Sequence, residues 1–250
     1  MRVLITNDDG IDSPGLAALA RGAVEHGWDT VVAAPARESS GTSAGLTAAE
    51  DDRRIVVERR QLPDLPDVPA YAVSAHPGLI AMVATQGAFG DPPDIVLSGV
   101  NRGANVGRAV LHSGTVGAAL TASINGVRAM AVSLDVGLDV DVPHHWDTAV
   151  AVASGLFDRL AALPPGSVLN LNVPNAAEPD ASWAEPKRAG LAEFGAVQSR
   201  VKDTDDGSID IASVAVEGDL PPGSDAAVLA GGHPTVTALR SVSEDADLEF

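Results

Sequence analysis

Residues 3–34 read VLITNDDGIDSPGLAALARGAVEHGWDTVVAA. Val3-Leu4-Ile5 is a short apolar run that predicts a strand, and Asn7-Asp8-Asp9-Gly10 breaks it. Pro14 to His26 then predicts a helix, with Ser13 at the N-cap, Pro14 in the first turn and Gly27 as the stop. Val31-Val32-Ala33-Ala34 returns as a second strand, closed by Pro35. Strand, helix, strand is the unit of a parallel sheet.

The same alternation runs outward through the first two-thirds of the chain. Ile55-Val56-Val57 and Tyr71-Ala72-Val73 predict short strands, and His76 to Phe89 carries apolar residues at helical spacing. Asp94-Ile95-Val96-Leu97 predicts a strand that enters a glycine-rich segment. Thr115 to Ile124 reads as a helix of small residues, Ala129 to Leu134 as a strand, and His145 to Leu163 as one long helix. Val168 to Val173 is the last clear strand, ended by Pro174. The fold class expected is α/β: a Rossmann-like, three-layer, mostly parallel sheet with right-handed crossovers. In such sheets ligands bind beyond the carboxyl ends of the strands. Residues 1–175 are expected to form this core, and residues 176–250 a C-terminal extension. From about Asn175 to Leu220 the chain is rich in Asp, Gly, Pro, Ser and Glu, and Ile209 to Val216 alternates like a half-exposed strand, so a hairpin arm is expected. The tail after Ser243 is acidic and expected to fray. The sequence shows no internal repeat.

Composition excludes several classes of function. Of 250 residues, 34 are acidic and 16 basic, a formal net charge of −18. Such a chain repels duplex nucleic acid and anionic membranes. Aromatic residues are 3%, leaving little for a base-stacking platform, and 45% apolar residues suffice for a core. The absence of Cys removes disulfides and thiolate metal sites. The N-terminus lacks a signal-type apolar region and no stretch reaches the ~18 apolar residues of a spanning helix, so a soluble, cytoplasmic protein is expected.

Three segments carry chemistry. Thr6-Asn7-Asp8-Asp9-Gly10 places adjacent carboxylates at a strand end, where they repel unless a cation lies between them. Hard oxygen donors of this kind suit Mg²⁺ or Mn²⁺; the same residues also make ordinary turn chemistry. Arg37-Glu38-Ser39-Ser40-Gly41-Thr42-Ser43 is a hydroxyl-rich loop at the same sheet edge, suited to a neutral ligand and phosphate contacts or to a polar surface. Ser98-Gly99-Val100-Asn101-Arg102-Gly103-Ala104-Asn105, followed by His112-Ser113-Gly114-Thr115 opening a helix, reads as a phosphate cradle or as tight turns with close helix packing. The dinucleotide and P-loop fingerprints are absent.

Taken in order, Asn7-Asp8-Asp9-Gly10, Ser40-Gly41-Thr42-Ser43, Ser98-Gly99-Val100-Asn101 with Gly103-Ala104-Asn105, and Ser113-Gly114-Thr115-Val116-Gly117-Ala118-Ala119 resemble the SurE family of stationary-phase survival proteins. Val132-Ser133-Leu134 and Leu171-Asn172-Val173-Pro174 also fit, and the likeness spans about residues 1–175. The resemblance implies a metal-dependent phosphomonoester hydrolase, a nucleotidase acting on nucleoside 5′- or 3′-monophosphates. By position, Asp8, Asp9, Ser40 and Asn101 match metal ligands for one Mg²⁺ or Mn²⁺, and Asp8 and Asp9 carry the catalysis. Asn105, Ser113, Gly114 and Thr115 match phosphate-site positions. The family also has a projecting hairpin and usually forms homo-dimers or homo-tetramers that exchange C-terminal elements. The rival expectations are a SurE-like binding protein for a nucleotide or phosphometabolite, with little turnover, and a phosphatase for short polyphosphate or sugar phosphates.

The chain departs from the family pattern at Ala36, where Asp is usual, and at Ala104, where Pro is usual. Arg108 stands for an acidic residue, His112 for Tyr, and His76-Pro77-Gly78-Leu79 for a Thr-Pro-x-Asp stretch. The hairpin lacks the family's usual aromatic and basic residues between Lys187 and Leu220. Gly232 to Leu239 replaces the late Gly-Tyr-Val-Ser-Val-Thr-Pro-Leu signature. His112 reads as a substrate contact, a proton shuttle or a structural contact. Arg102 and Arg108 read as phosphate attractors or solvated surface, and His76 as a helix start, in preference to a pocket-lining residue. His144 and His145 do not share a helix face and have no third ligand, so they are not read as a metal pair.

Overall fold

The computed structural model describes residues 1–48, 50–51, 54–137, 142–193, 197–205, 208–215 and 220–244. In chain order the elements are β1 (Arg2–Thr6), α1 (Pro14–Glu25), β2 (Asp29–Pro35), β3 (Glu50–Asp51), β4 (Arg54–Ile55), β5 (Val57–Leu62), β6 (Leu65–Val73), α2 (Pro77–Thr85), β7 (Ile95–Arg102), α3 (Gly114–Ile124), β8 (Arg128–Asp135), α4 (Trp146–Ser154), α5 (Phe157–Ala162), β9 (Val168–Pro174), β10 (Lys187–Arg188), β11 (Val197–Asp205), β12 (Ser208–Ala215), α6 (Asp225–Ala230) and β13 (Thr235–Leu239). A 3₁₀ turn at Gly107–His112 precedes α3.

The main sheet has the order β10-β13-β9-β8-β7-β1-β2-β6-β5. The run from β9 through β8, β7, β1 and β2 to β6 is parallel throughout. β5 and β13 join antiparallel to β6 and β9. The mostly parallel α/β architecture is as expected. From β1 the chain steps to β2 on one side and later to β7 on the other. The switch point therefore lies at the carboxyl ends of β1 and β7, and Asp8, Asp9 and Asn101 stand there.

Strand alternation distributes the core to both faces. Val3 and Ile5 enter one cluster with Leu16 and Leu19 of α1 and Ala149 and Val152 of α4. Leu4 enters the other with Ile80 of α2 and Val116, Ala119 and Ala122 of α3. The small residues of α3 let that helix lie close to the sheet, which brings its N-terminus to the end of β1.

Several elements depart from the pattern read in the sequence. The single helix expected over 145–163 is two. α4 stops at Ser154 with Gly155 as its C-cap, and α5 starts at Phe157. The break turns the Phe157 ring fully into the core, stacked on Trp28 at 4.6 Å. The helix expected over 76–89 ends at Thr85, followed by a turn in which Gly87 has φ +86°. The run at 55–57 divides between β4 and β5. β11 and β12 pair antiparallel as a hairpin. β13, unpredicted from the sequence, lies back on β9 of the main sheet. Val216 and most of the acidic tail, residues 245–250, lie outside the described residues. Among the described residues no helix is long and apolar enough to cross a membrane.

Candidate active site

The turn after β1 is closed by Asn7. Its Nδ2 donates to the Gly10 carbonyl and its Oδ1 accepts from Gly10 N, both at 3.1 Å. Gly10 has φ +99°, a conformation that favours glycine. Ile11 N donates to Pro35 O at 2.9 Å, fastening this turn to the exit of β2. Asn7 and Gly10 thus supply the turn chemistry, and the carboxylates of Asp8 and Asp9 take no part in it.

Asp8 is 5% exposed. Its Oδ1 accepts a short hydrogen bond from the Thr115 hydroxyl at the start of α3. A Cβ on Gly114 would lie 2.8 Å from both Cβ and Oδ2 of Asp8 and 3.0 Å from Thr42 Oγ1. The helix end and the carboxylate approach this closely because residue 114 has no side chain. Burial pushes the Asp8 carboxyl above its ordinary range, opposed by the Thr115 hydroxyl and by backbone N–H groups. Asp9 lies on the other side of the turn, and its Oδ2 accepts from Arg102 N at 3.3 Å. Burial, then repulsion from Asp8, pushes Asp9 up to about 6.

The other residues expected to hold the metal, Asn101 and Ser40, stand at the same sheet edge. Asn101 ends β7. Its Nδ2 donates to Gly103 O at 2.7 Å, which leaves the carboxamide oxygen for another partner. Ser40 is exposed and its hydroxyl donates to Glu38 Oε1 at 2.9 Å. The neighbouring Ser39 is the buried hydroxyl of this loop, without a hydrogen-bond partner among the described residues. Ser39 N donates to Asp8 O at 2.8 Å, so the loop is anchored to the carboxylate turn. The resemblance points to Ser40, and the burial of the Ser39 hydroxyl is visible only in the structure.

The residues present fit a divalent cation of the hard, oxygen-seeking kind. Two adjacent carboxylates, Asp8 buried and Asp9 half-buried, carry charge that their surroundings disfavour, and an amide oxygen and hydroxyls stand beside them. No cluster of three or more His, Cys, Asp or Glu suited to a metal occurs among the described residues. A cation here must therefore complete its shell with neutral oxygens.

Asn105 is held by residues that sequence reasoning did not single out. Its N–H donates to Asn172 Oδ1 at 2.7 Å, and its Nδ2 to Ser133 Oγ at 2.8 Å. Its carbonyl accepts from Asn170 Nδ2 at 2.8 Å and Asn172 Nδ2 at 2.9 Å. Ser133, Asn170 and Asn172 are fully buried. Two residues on, Gly107 N donates to Oδ2 of the fully buried Asp225 at 2.8 Å. The other oxygen of Asp225 accepts from Ala192 N and Ala226 N at 2.9 and 2.8 Å. The loop is thus clamped from β8, β9 and α6. The signal was present in Val168 to Val173: two amides at alternate positions of an otherwise apolar strand share one face.

Ser113 caps α3, its hydroxyl accepting from Val116 N at 3.1 Å. Gly114 and Thr115 then lie against Asp8. Arg102 and Arg108 are exposed, and His112 is exposed at the end of the 3₁₀ turn. His76 stands at the N-cap of α2, as expected of a helix start. His145 stands at the N-cap of α4.

Comparison with known proteins bears on the family and the fold of the chain. The family model described as Survival protein SurE matches residues 3–195. The 5′-nucleotidase SurE of Xanthomonas oryzae pv. oryzae (strain PXO99A) is 38% identical over 192 residues, covering 76% of this chain and 70% of the relative. That of Xanthomonas campestris pv. campestris (strain B100) matches with the same identity and coverage. The crystal structure of SurE protein from Aquifex aeolicus superposes with a TM-score of 0.77 at 25% identity, over 99% of this chain and 96% of that one.

Proposed function

The chain belongs to the SurE family, and from that premise we propose that it is a metal-dependent phosphomonoester hydrolase acting on nucleoside 5′- or 3′-monophosphates. The observation that carries the reading is the pairing of Asp8 with the N-terminus of α3. The buried Asp8 carboxylate touches Gly114 and Thr115, so a cation held by the acidic turn and a phosphate seated on the helix end are neighbours by construction.

In this reading Asp8, Asp9, Ser40 and Asn101 hold one Mg²⁺ or Mn²⁺, the Ser40 hydroxyl leaving Glu38 to do so. Such an ion would supply charge neutralisation for the phosphoryl group and activation of a water nucleophile. Thr115 orients the Asp8 carboxylate. Ser113 and Asn105, beside Gly114 and Thr115, receive the phosphate oxygens, and the helix dipole favours the charge that develops on them; the Gly114 and Thr115 N–H groups hold Asp8. The Ser133, Asn170 and Asn172 clamp keeps Asn105 in place for this task.

The same reading makes residues 1–175 the metal- and phosphate-binding core. It makes residues 176–250 an extension whose hairpin serves assembly into a homo-dimer or homo-tetramer. Nucleoside monophosphates are metabolites of the cytoplasm, the compartment this substrate assigns. Inorganic phosphate release from a panel of 5′- and 3′-nucleoside monophosphates, with short polyphosphate and sugar phosphates alongside, tests the proposal. Metal-dependent release from the nucleotides supports it. Tight nucleotide binding without release makes the chain a binding protein, and release from the other phosphoesters alone moves the substrate class.

A further inference from the structure

Asp9 opens onto a cavity of about 280 Å³ whose walls include Ser13, Arg102, His144 and Trp146. Ser13, Pro14, His144 and Trp146 also line a neighbouring cavity of about 580 Å³, within the size range of small-molecule sites. The two cavities share this wall and together make a cleft that leads away from the carboxylates, on the α1 and α4 side of the sheet.

Two polar groups of the shared wall are short of partners among the described residues. His144 Nε2 is buried without a hydrogen-bond partner among the described residues. Ser13 occupies the N-cap of α1, yet its hydroxyl makes no capping bond. A buried ring nitrogen without a partner is unfavourable, and it marks a place where water or a ligand group belongs. Trp146 adds a flat, fixed apolar surface. A Cβ on Gly15 would lie 3.1 Å from its Cε3 and Cζ3, so the indole rests on the first turn of α1. The His144 ring lies 5.2 Å from it.

Two cations at the outer end are paired, while Asp12 there and Glu38 and Arg102 at the inner end also line the walls. Arg21 Nη2 lies 2.7 Å from Asp147 Oδ1, and Arg60 Nη1 lies 2.9 Å from Glu58 Oε2. Beside these charges the cleft offers a flat apolar face and hydrogen-bonding groups, which suit the sugar and base of a substrate whose phosphate is bound elsewhere.

We propose that this cleft receives the sugar and base of the substrate. His144 Nε2 and the Ser13 hydroxyl bond sugar hydroxyls, and the base rests against Trp146. The proposal deepens the phosphatase reading and takes from it the position of the phosphate.

The test is equilibrium binding of ribonucleosides, which lack phosphate, in EDTA, to the wild type and to Trp146→Ala and His144→Ala. Trp146→Phe and His144→Gln keep a ring and a hydrogen-bonding group, and serve where the alanine variants fail to fold. Both alanine variants are expected to weaken binding about tenfold or more, the size of a base–aromatic contact, with Trp146→Phe retaining most of it. Equal affinity in wild type and variants overturns the proposal, as does a wild type that binds no nucleoside at millimolar concentration. Phosphate release, measured in parallel, separates the two claims. If the variants lose the wild-type preference for nucleoside monophosphate over a short alkyl phosphate, both stand. If the wild type hydrolyses nucleotides and the variants keep that preference, the cleft assignment falls and the phosphatase reading stands. If nucleoside binding depends on Trp146 and nothing is hydrolysed, the reverse holds.

Discussion

The Thr115 hydroxyl donates to Asp8 Oδ1 across 107 residues of sequence, joining the first turn of α3 to the end of β1. Through this contact the helix that offers N–H groups to an anion also sets the orientation of a carboxylate suited to a cation. Thr115→Val keeps the shape of the side chain and removes the donor. A hydrogen bond to a charged group contributes about 1.5–3 kcal/mol, so kcat/KM for a nucleoside monophosphate should fall by one to two orders of magnitude. Loss of the donor also raises the Asp8 carboxyl further, and the acidic limb of the pH–rate profile should move to higher pH. An unchanged profile would count against a direct role for this bond.

Gly114 is the closest approach in the site. In Gly114→Ala the new methyl meets Asp8 Cβ and Oδ2 at 2.8 Å, and backbone or carboxylate must shift. Alanine is otherwise favoured in a helix by up to about 1 kcal/mol. Thermal stability should therefore change little, while phosphate release falls more than about a hundredfold, as a 1 Å misplacement of reacting groups does. Paired melting and rate measurements check this.

The acidic turn makes the metal-free protein sensitive to pH. The folded-state pKa of Asp9, about 6, lies above its ordinary 3.8, so the folded chain binds this proton more tightly than the unfolded one. Its contribution to stability is present in full below the ordinary value and is lost as pH rises through 6. The displacement corresponds to at most about 3 kcal/mol. In EDTA the urea midpoint should fall between pH 5 and pH 8, less steeply in Asp9→Asn. Saturating Mn²⁺ or Mg²⁺ should recover stability at pH 8 in the wild type only. Identical pH slopes in wild type and variant would remove Asp9 as the cause.

Asn172 satisfies both the N–H and the carbonyl of Asn105. Asn172→Ala leaves the Asn105 N–H without its partner and the carbonyl with Asn170 alone, at a cost of about 1–3 kcal/mol in stability. The effect on function should be separable from stability at a temperature where the variant is fully folded. There KM for the phosphoester should rise at least about tenfold, because the clamped loop carries a phosphate-site residue and truncating its support lets that residue move. An unchanged KM would make the amide network purely structural.

The core was legible because burial and chemistry coincide in its short segments. Val3 to Ile5, Val31 to Ala34 and Ile95 to Leu97 are strands buried on both faces, and each ends in the polar residues that form the site. The Asn-Asp-Asp-Gly stretch admitted two readings from sequence, and the structure divides them: Asn7 and Gly10 make the turn, while the carboxylates face away from it. Less was legible where long-range packing decides. Nothing local to residues 145–163 reveals that Phe157 must turn inward onto Trp28, which breaks the helix at Gly155. Asn170 and Asn172 read as interruptions of an apolar strand until Asn105, more than 60 residues earlier, is seen to need them. β13 pairs with β9 across a segment of mixed polarity, a register that periodicity alone does not specify.

The most direct measurement is inorganic phosphate release from 5′- and 3′-nucleoside monophosphates by the wild type and by Asp8→Asn, each with Mg²⁺, Mn²⁺ or EDTA. The account predicts release by the wild type that requires a divalent cation and falls by at least about a thousandfold in the folded variant, as loss of an essential ligand and catalytic carboxylate entails. Undiminished release by Asp8→Asn, or wild-type release that persists in EDTA, would contradict it.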